Sequence, residues 1–288
     1  MADTGELSLQ FSVTEKQAFK TIDPNRVPTC IYYKGVRIPT DVVPSGKAKA
    51  NHEKIDPKEL PRPLGSSIGR ANTEYSGTLG ALMYQGDGPQ RKYFGVSCYH
   101  VLYPEELKAG LKKDSKEVKT LPGDAVIGSR NINSPSARDF DEVVLVGSVH
   151  QGLFNQFLDV GFFETTEQKV SEAVFKFGVP DSVYYVGPSD EKTLHVKLCG
   201  RTSGIVETGV VELISSYPLI TYFDRYDYQF LDLLKIRMNA KEGDSGAAIL
   251  TKNNKLIGIL VGVDDTFVYA VPAAFIENNY PYKFQIKI

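Results

Sequence analysis

The sequence has few cysteines and histidines and no tryptophan: 288 residues include three Cys and four His. An odd, sparse set of cysteines (Cys30, Cys98 and Cys199) argues against the disulfide framework that secreted proteins of this size usually carry. None of the three has the C-x-x-C spacing of a zinc site, so we expect no structural metal. Buried thiols that act as small apolar side chains are the better interpretation of Cys98 and Cys199.

Long apolar runs and an excess of charge of one sign are also lacking. Residues 1–20 are polar and mixed in charge, unlike a secretory signal, and no segment approaches the ~20 apolar residues of a membrane helix. The formal charge is −2 and the pI about 6.1, which provides no basic surface for nucleic acid or anionic lipid. We therefore expect a cytoplasmic protein whose partners include neither nucleic acid nor membrane.

Hydrophobic residues, at 42%, and aromatic residues, at 11%, are sufficient for a folded core. Six prolines between residues 28 and 63 exclude long helices there, and residues 1–72 are predicted to form an N-terminal arm and linker. From residue 73 onward, short β-rich runs alternate with turn signals, a pattern that predicts an all-β barrel or sandwich. Helical patterns are brief and cover Pro104–Leu111 and Ala273–Asn279.

The strongest chemical motif is Gly243-Asp244-Ser245-Gly246. A serine nucleophile that attacks a carbonyl creates an oxyanion, which requires N–H donors already pointing at it. Gly243 can turn its peptide so that its own N–H and that of Ser245 face one point, forming an oxyanion hole. The alternative is a plain Asp-Ser-Gly surface turn, which is common between strands.

A serine nucleophile needs a base, and His100 is the best placed of the four histidines. His52 lies in a polar linker, His150 at a strand end, and His195 on the polar face of an alternating strand. His100 directly follows the apolar strand Phe94–Tyr99 and precedes a short helix. A structural histidine remains the alternative for any one of them taken alone.

The third group should be a buried carboxylate that accepts the other ring N–H of the histidine. Asp159 is flanked by apolar β-formers, where an unpaired carboxylate would cost several kcal/mol of desolvation. The rival residues Asp124, Asp139 and Asp141 lie in polar surroundings and are interpreted as loop charges. The order His100, Asp159, Ser245 is that of chymotrypsin and differs from the orders in subtilisin and the α/β-hydrolases.

With these residues in place, the chain from about Gly77 to Pro272 resembles the trypsin-like serine proteases. The matching segments are Gly77–Gly80, Cys98–Leu102, Leu158–Gly161, Gly200–Gly204 with Gly209–Val211, Gly243–Gly246 and Tyr269–Pro272. Upstream, Gly35–Val43 and Arg62–Gly69 look like the lead-in of a disulfide-free branch that includes bacterial proteins and the narrow-leaf proteins of plants.

The resemblance implies two six-stranded antiparallel β-barrels of chymotrypsin type in a protease domain over residues 73–288. The first barrel would cover about 73–166 and the second about 173–272, with a C-terminal helix and tail at 273–288. The chain departs from the secreted relatives in two respects: no disulfide brackets His100, and no Ile-Val-Gly-Gly start is present for zymogen cleavage.

The resemblance also implies a substrate pocket and a reaction. The pocket residues are Asn239, Glu242, Val261, Gly262, Val263 and Asp264. Asp264 and Asp265 could favour a basic substrate side chain, although a solvated hairpin tip is the competing interpretation. The expected function is limited cleavage of a specific intracellular protein, without a cofactor and under the control of a regulatory partner. The alternatives are a catalytically weak pseudoprotease that binds peptides, and an acyltransferase or esterase with the same triad.

Overall fold

The computed structural model describes Ile55 and residues 59–287, together with the backbone of three strands within residues 1–51. These strands, β1 (Leu9–Val13), β2 (Cys30–Tyr33) and β3 (Val36–Pro44), form a small sheet of their own. In this sheet β3 pairs parallel with β1 and antiparallel with β2. The rest of the predicted arm up to residue 58, apart from Ile55, lies outside the described residues, as does the side chain of Cys30.

A curled half-barrel forms the first half of the larger unit. Its strands and their neighbours are β4 (Arg62–Leu64), β5 (Ser67–Arg70), β6 (Gly77–Thr78), β7 (Ala81–Gln85), β8 (Lys92–Ser97), β9 (Val118–Thr120), β10 (Asn131–Ser134), β11 (Val144–Asn155), β12 (Leu158–Thr165) and β13 (Val170–Val174). The path runs β7-β8-β12-β11-β10-β5-β6, while β9 pairs with β11 and β13 with β4. Strands β4 and β5 lie upstream of residue 73, where the sequence places the start of the domain.

The second half is a closed barrel of six strands. The strands of this half are β14 (Ser182–Val183), β15 (His195–Gly200), β16 (Gly204–Ser216), β17 (Leu219–Tyr222), β18 (Tyr226–Gln229), β19 (Leu233–Arg237), β20 (Ala248–Thr251), β21 (Lys255–Val263) and β22 (Phe267–Pro272). The ring runs β21-β20-β15-β16-β19-β22 and closes through pairing of β22 with β21. Strands β17 and β18 pair only with each other, as a hairpin inserted between β16 and β19.

Three short α-helices complete the unit: α1 (Tyr99–Leu102), α2 (Pro104–Leu111) and α3 (Ala273–Asn279). The bounds of α2 and α3 match the sequence prediction. Pro104 suits the first turn of α2, where its missing N–H has no partner to lose, and Glu105 and Glu106 favour the same helix end. After α3, the last strand, β23 (Lys283–Phe284), returns to the half-barrel and pairs with β7.

One continuous hydrophobic core joins the two halves, because buried residues from both barrels and from α3 belong to the same cluster. At its centre the fully buried ring of Phe154, from β11, meets three aromatic rings of the connection between β16 and β19. The centroid distances are 5.2 Å to Tyr222, 4.5 Å to Tyr228 and 5.6 Å to Phe230. The inserted hairpin is therefore attached to the opposite half of the molecule.

The predicted all-β fold of two barrel-like halves with a short C-terminal helix is confirmed, and of the two halves the second closes into a six-stranded barrel. Strands β9 and β10 and the inserted hairpin were not predicted. In β10 only Ile132 is apolar among four residues, so no alternation is visible in the sequence. The hairpin has apolar residues on both faces, so its sequence shows no alternation. One face packs on the half-barrel, while Leu219, and Tyr217 just before the hairpin, remain 62% and 64% exposed.

We predict that Phe154→Ala lowers the free energy of unfolding by about 3–5 kcal/mol, because it leaves a cavity between the two halves. Phe140→Ala is the matched control, since Phe140 is 36% exposed, and it should change stability by only about 0.5 kcal/mol. Urea unfolding of both variants measures the difference. Equal effects would show that the Phe154 cluster does not hold the halves together.

Candidate active site

His100 lies in α1, directly after β8, and one carboxylate holds both its backbone and its ring. The backbone N–H donates to Oδ1 of Asp159 at 3.1 Å, and ring Nδ1 lies 2.6 Å from Oδ2. Because an ionised carboxylate only accepts hydrogen bonds, Nδ1 carries the proton in this pairing and Nε2 is left as an acceptor. This is the tautomer that a general base requires.

Asp159, in β12, has no exposed surface and receives a third hydrogen bond. The Tyr222 hydroxyl, from the inserted hairpin, donates to Oδ2 at 2.8 Å. Burial raises the pKa of Tyr222 well above its usual value, and the neighbouring Asp159 charge raises it further, so the phenol keeps its proton and remains a donor. The sequence predicts a partner for this buried carboxylate, but it does not identify Tyr222 as one.

Ser245 lies on a loop in which, over residues 243–246, unpaired and hydrogen-bonded backbone N–H groups alternate. The N–H of Asp244 donates to Lys241 O at 3.0 Å, and that of Gly246 donates to Leu260 O at 2.7 Å. Over the described residues, the N–H groups of Gly243 and Ser245 have no acceptor. Gly243 takes a φ of +95°, which favours glycine. Unpaired backbone donors of this kind are the ones that an oxyanion hole uses when they point at one position.

The shape of this loop is maintained by Asp244, a second carboxylate without exposed surface. Its Oδ1 accepts from the N–H groups of Thr202 at 2.7 Å and Ser203 at 3.0 Å. Its Oδ2 accepts from the N–H of Lys241 at 2.9 Å. Three backbone donors therefore bind Asp244 and tie the loop that carries Ser245 to Thr202 and Ser203.

Close backbone approach at Gly77 and Thr78 brings the serine loop to the histidine segment. The N–H of Thr78 donates to Ser245 O at 2.8 Å, and the Thr78 hydroxyl donates to Gly243 O at 3.1 Å. A Cβ on Gly77 would lie 2.5 Å from Cγ2 of Val101 and 2.7 Å from Ser245 O, so only glycine fits between them. The structure thus gathers the segments that carry His100, Asp159 and Ser245.

The Ser245 hydroxyl itself donates to Val261 O at a long 3.5 Å, and in the described part of the chain no hydrogen bond joins it to His100. Val261 lies at an irregularity in β21, where the register with β22 shifts between Leu260 and Gly262. Looser contacts between nucleophile and base are common before substrate binds. Rotation about the Ser245 Cα–Cβ bond would release the hydroxyl from Val261.

Asp139, interpreted from sequence as a loop charge, forms an ion pair between the two halves. Its carboxylate accepts from Nε of Arg201 at 2.5 Å, and also from Nη2 of Arg201 and the hydroxyl of Ser67. Burial alone would raise the pKa of Asp139, but these hydrogen bonds more than offset it and the pKa lies below its ordinary value. The Arg201 guanidinium and the Thr202 side chain also occupy the space where a Cβ on Gly243 would lie.

The residues expected in the substrate pocket occupy different environments. Val261 and Gly262 are buried, Val263 is half-buried, and Asn239 and Glu242 are exposed. Asn239 lines a surface pocket of about 530 Å³. Asp264 accepts from the N–H groups of Thr266 and Phe267 and from the Tyr269 hydroxyl at 2.8 Å, so its carboxylate completes a hairpin turn. These contacts are those of the hairpin-tip interpretation.

Donor atoms of Cys98, His100 and Asp159 lie within 4.8 Å of one another, as in some metal sites. The Cys98 thiol, however, donates to Leu260 O at 3.1 Å, and burial raises its pKa well above the usual value, helped by the Asp159 charge. A protonated thiol is a poor ligand, and Asp159 already accepts three hydrogen bonds. The group is therefore not arranged to bind a metal.

His150 and His195 lie away from this arrangement. Nδ1 of His150 lies 3.3 Å from Oε1 of Glu164, and its ring packs on that of Phe94. His195 is exposed on the second barrel. His52 lies outside the described residues. Cys199 is buried, which raises its pKa to about 12.

Similarity to solved structures decides the fold. Thermobifida fusca protease A superposes with a TM-score of 0.53 at 15% identity, over 78% of this chain and 98% of that one. The fold is that of chymotrypsin. Cellulomonas bogoriensis chymotrypsin gives a TM-score of 0.51 at 14% identity, over 78% and 98%. A glutamic acid-specific serine protease that uses a histidine triad in substrate binding gives 0.50 at 14%, over 78% and 100%.

No protein-family model matches the sequence, and no curated protein matches it. What this chain shares with the serine proteases is therefore the chymotrypsin fold. Within the described part of the chain, none of the helices is both long and apolar enough to cross a membrane.

We predict that Asp139→Asn is destabilising at pH 6 by about 1 kcal/mol or less, because the half-buried ion pair with Arg201 is screened by water. The folded-state pKa of Asp139 lies below its ordinary 3.8, so its contribution is complete above that value and is lost as the pH falls through the folded-state pKa. The difference in denaturation midpoint between wild type and variant should therefore be present at about pH 6 and should shrink as the pH is lowered further and further below 3.8. Asp141→Asn, at an exposed neighbour, should show no such pH dependence.

We predict that Gly243→Ala costs about 1–3 kcal/mol more stability than Gly128→Ala. Both glycines have positive φ, +95° and +85°, so alanine is strained at each, but only Gly243 is packed against Arg201 and Thr202. Nothing lies within 4 Å of the position that a Cβ would take on Gly128. Urea unfolding of the two variants makes the comparison, and equal costs would show that the Arg201 side chain moves aside freely.

Proposed function

We propose that this protein is a serine endopeptidase with Ser245 as nucleophile, His100 as general base and Asp159 as the group that orients His100. The chymotrypsin fold and its likeness to serine proteases support a protease-like protein with protein or peptide substrates. The observation that carries the proposal is the pair of unpaired N–H groups, on Gly243 and Ser245, beside a serine in the same site as a carboxylate-bound histidine. A plain surface turn has no need of such an arrangement.

In the proposed reaction, Ser245 Oγ attacks the carbonyl carbon of the scissile peptide while its proton passes to Nε2 of His100. The N–H groups of Gly243 and Ser245 bind the resulting oxyanion. The carbon–nitrogen bond then breaks, and His100 gives its proton to the leaving amine, which leaves an ester on Ser245. Water attacks this ester by the same route, with His100 as base, and restores the free hydroxyl.

The substrate would lie along Val261, Gly262 and Val263, at the edge of β21 nearest Ser245. Asn239, Glu242 and Asp264 complete the proposed pocket. We propose that the protease domain covers residues 73–288 and that the arm, residues 1–72, contributes strands β4 and β5 to its half-barrel. We also propose that the enzyme carries out limited cleavage of one specific intracellular protein in the cytoplasm. A regulatory partner would control this cleavage.

A pseudoprotease that binds peptides without turnover is the second candidate. The observation that favours it is the Ser245 hydroxyl, which donates to Val261 O and not to His100. Such a protein would bind a peptide strand beside β21 but would have no activated serine.

Labelling of the purified protein by a fluorophosphonate probe tests the proposal. We expect covalent labelling of wild type and its loss, by at least about a thousandfold in rate, in Ser245→Ala and in His100→Ala. Ser203→Ala, on a neighbouring loop, is the control and should label normally. A folded wild type that does not label, while still binding peptide, would overturn the endopeptidase in favour of the pseudoprotease. Comparison of an amide with a thioester substrate then separates a protease from an acyltransferase or esterase.

A further inference from the structure

The inserted hairpin, β17 and β18, reaches from the second barrel to the half-barrel and ends at the histidine–carboxylate pair. Its residue Tyr222 is only 4% exposed, and its ring meets the His100 ring edge-on at 5.3 Å. The Tyr222 hydroxyl donates to the Asp159 oxygen that also faces Nδ1 of His100. One carboxylate oxygen is therefore shared by the histidine and a side chain from the opposite barrel.

Independent contacts fix the position of the hairpin on the half-barrel. The Tyr228 hydroxyl donates to Lys116 O at 2.5 Å. Phe223, at the tip, packs edge-on against Tyr75 at 5.1 Å, and Nζ of Lys108 lies 5.4 Å from the Phe223 ring centroid. These anchors involve the neighbouring residue Phe223 and the paired strand β18, so Tyr222 is held in place by more than its own hydrogen bond.

The tip of the hairpin is also in an unusual conformation. Phe223 and Asp224 have φ values of 55° and 54°, a region that Asp adopts readily but that a bulky aromatic residue such as Phe223 rarely does. Such residues persist where the surrounding structure demands them, and they concentrate at functional sites. Here the conformation lets Phe223 face Tyr75 while Tyr222 faces Asp159.

The titratable groups around Asp159 leave Tyr222 with a distinct role. Four titratable side chains either donate a hydrogen bond to Asp159 or have a pKa that its charge raises: His100, Cys98, Tyr99 and Tyr222. The Cys98 thiol donates instead to Leu260 O, and the Tyr99 hydroxyl pairs with Thr120 at 2.9 Å. Among the described side chains, Tyr222 is thus the one besides His100 that donates to Asp159.

We propose that Tyr222 is a positioning residue of this site, which holds Asp159 and thereby sets the orientation and protonation of His100. The inference rests on the proposed function, in which His100 is the base. Without the phenol, the carboxylate has one donor fewer and attracts the imidazole proton more strongly. His100 would then stay protonated to higher pH, and its ring would be held less firmly.

The test compares Tyr222→Phe with Tyr228→Phe, a matched control on the same hairpin whose hydroxyl, among the described residues, donates to the Lys116 carbonyl and not to Asp159. We expect Tyr222→Phe to label with fluorophosphonate about tenfold more slowly, with the acidic limb of its pH–rate profile moved to higher pH. Tyr228→Phe should lower stability without moving that limb. In an Asp159→Asn background, Tyr222→Phe should have less than about a twofold effect, because the shared partner is gone.

A readout independent of activity separates the two proposals. The titration of the His100 ring protons, followed by NMR and assigned by its loss in His100→Ala, should shift to higher pH in Tyr222→Phe but not in Tyr228→Phe. If wild type does not label yet this shift occurs, the positioning role stands and the endopeptidase proposal fails. If the His100 titration is the same in wild type and in folded Tyr222→Phe, the positioning role is overturned, whatever the labelling shows.

Discussion

A carboxylate without exposed surface can remain ionised only if hydrogen-bond donors replace the water it has lost. Asp159 is such a carboxylate, and separate parts of the fold supply its donors. The backbone of α1 supplies one donor, the His100 ring a second and the inserted hairpin a third. To deliver the third, the chain must leave the second barrel between β16 and β19 and reach the half-barrel. The aromatic cluster around Phe154 covers the apolar surface of that crossing, so the barrel interface and the site are products of the same constraint.

Asp244 repeats this arrangement in the loop that carries Ser245. It too has no exposed surface, but its donors are backbone N–H groups of the loops that carry Ser245 and Arg201. One buried acid therefore organises the proposed base, and the other shapes the loop of the proposed nucleophile. Between them lies a segment of glycines and Thr78, where side chains would prevent the two loops from meeting. The fold positions this chemistry without a disulfide among the described cysteines.

Local patterns made part of this predictable. Short β-rich runs between turn signals indicated most strands of both barrels, Pro104 indicated the start of α2, and the apolar neighbours of Asp159 implied a buried carboxylate that needs a partner. The identity of that partner was beyond local reasoning, because Tyr222 lies 63 residues further along the chain, in a tyrosine-rich segment with no clear period. The same holds for Asp139, whose polar surroundings hide a partner 62 residues away. Long-range hydrogen bonds depend on the topology, which residue spacing does not specify.

The pairing of β23 with β7 has a consequence for how the chain acquires this structure. During synthesis the half-barrel is made first, yet one edge of β7 has no strand beside it until Phe284 has left the ribosome. Nearly the whole of the second barrel is translated in that interval. The edge of β7 that receives β23 thus stays unpaired until the last strand has been made. An unpaired strand edge can pair with another chain, so slower translation lengthens the time during which this edge can aggregate.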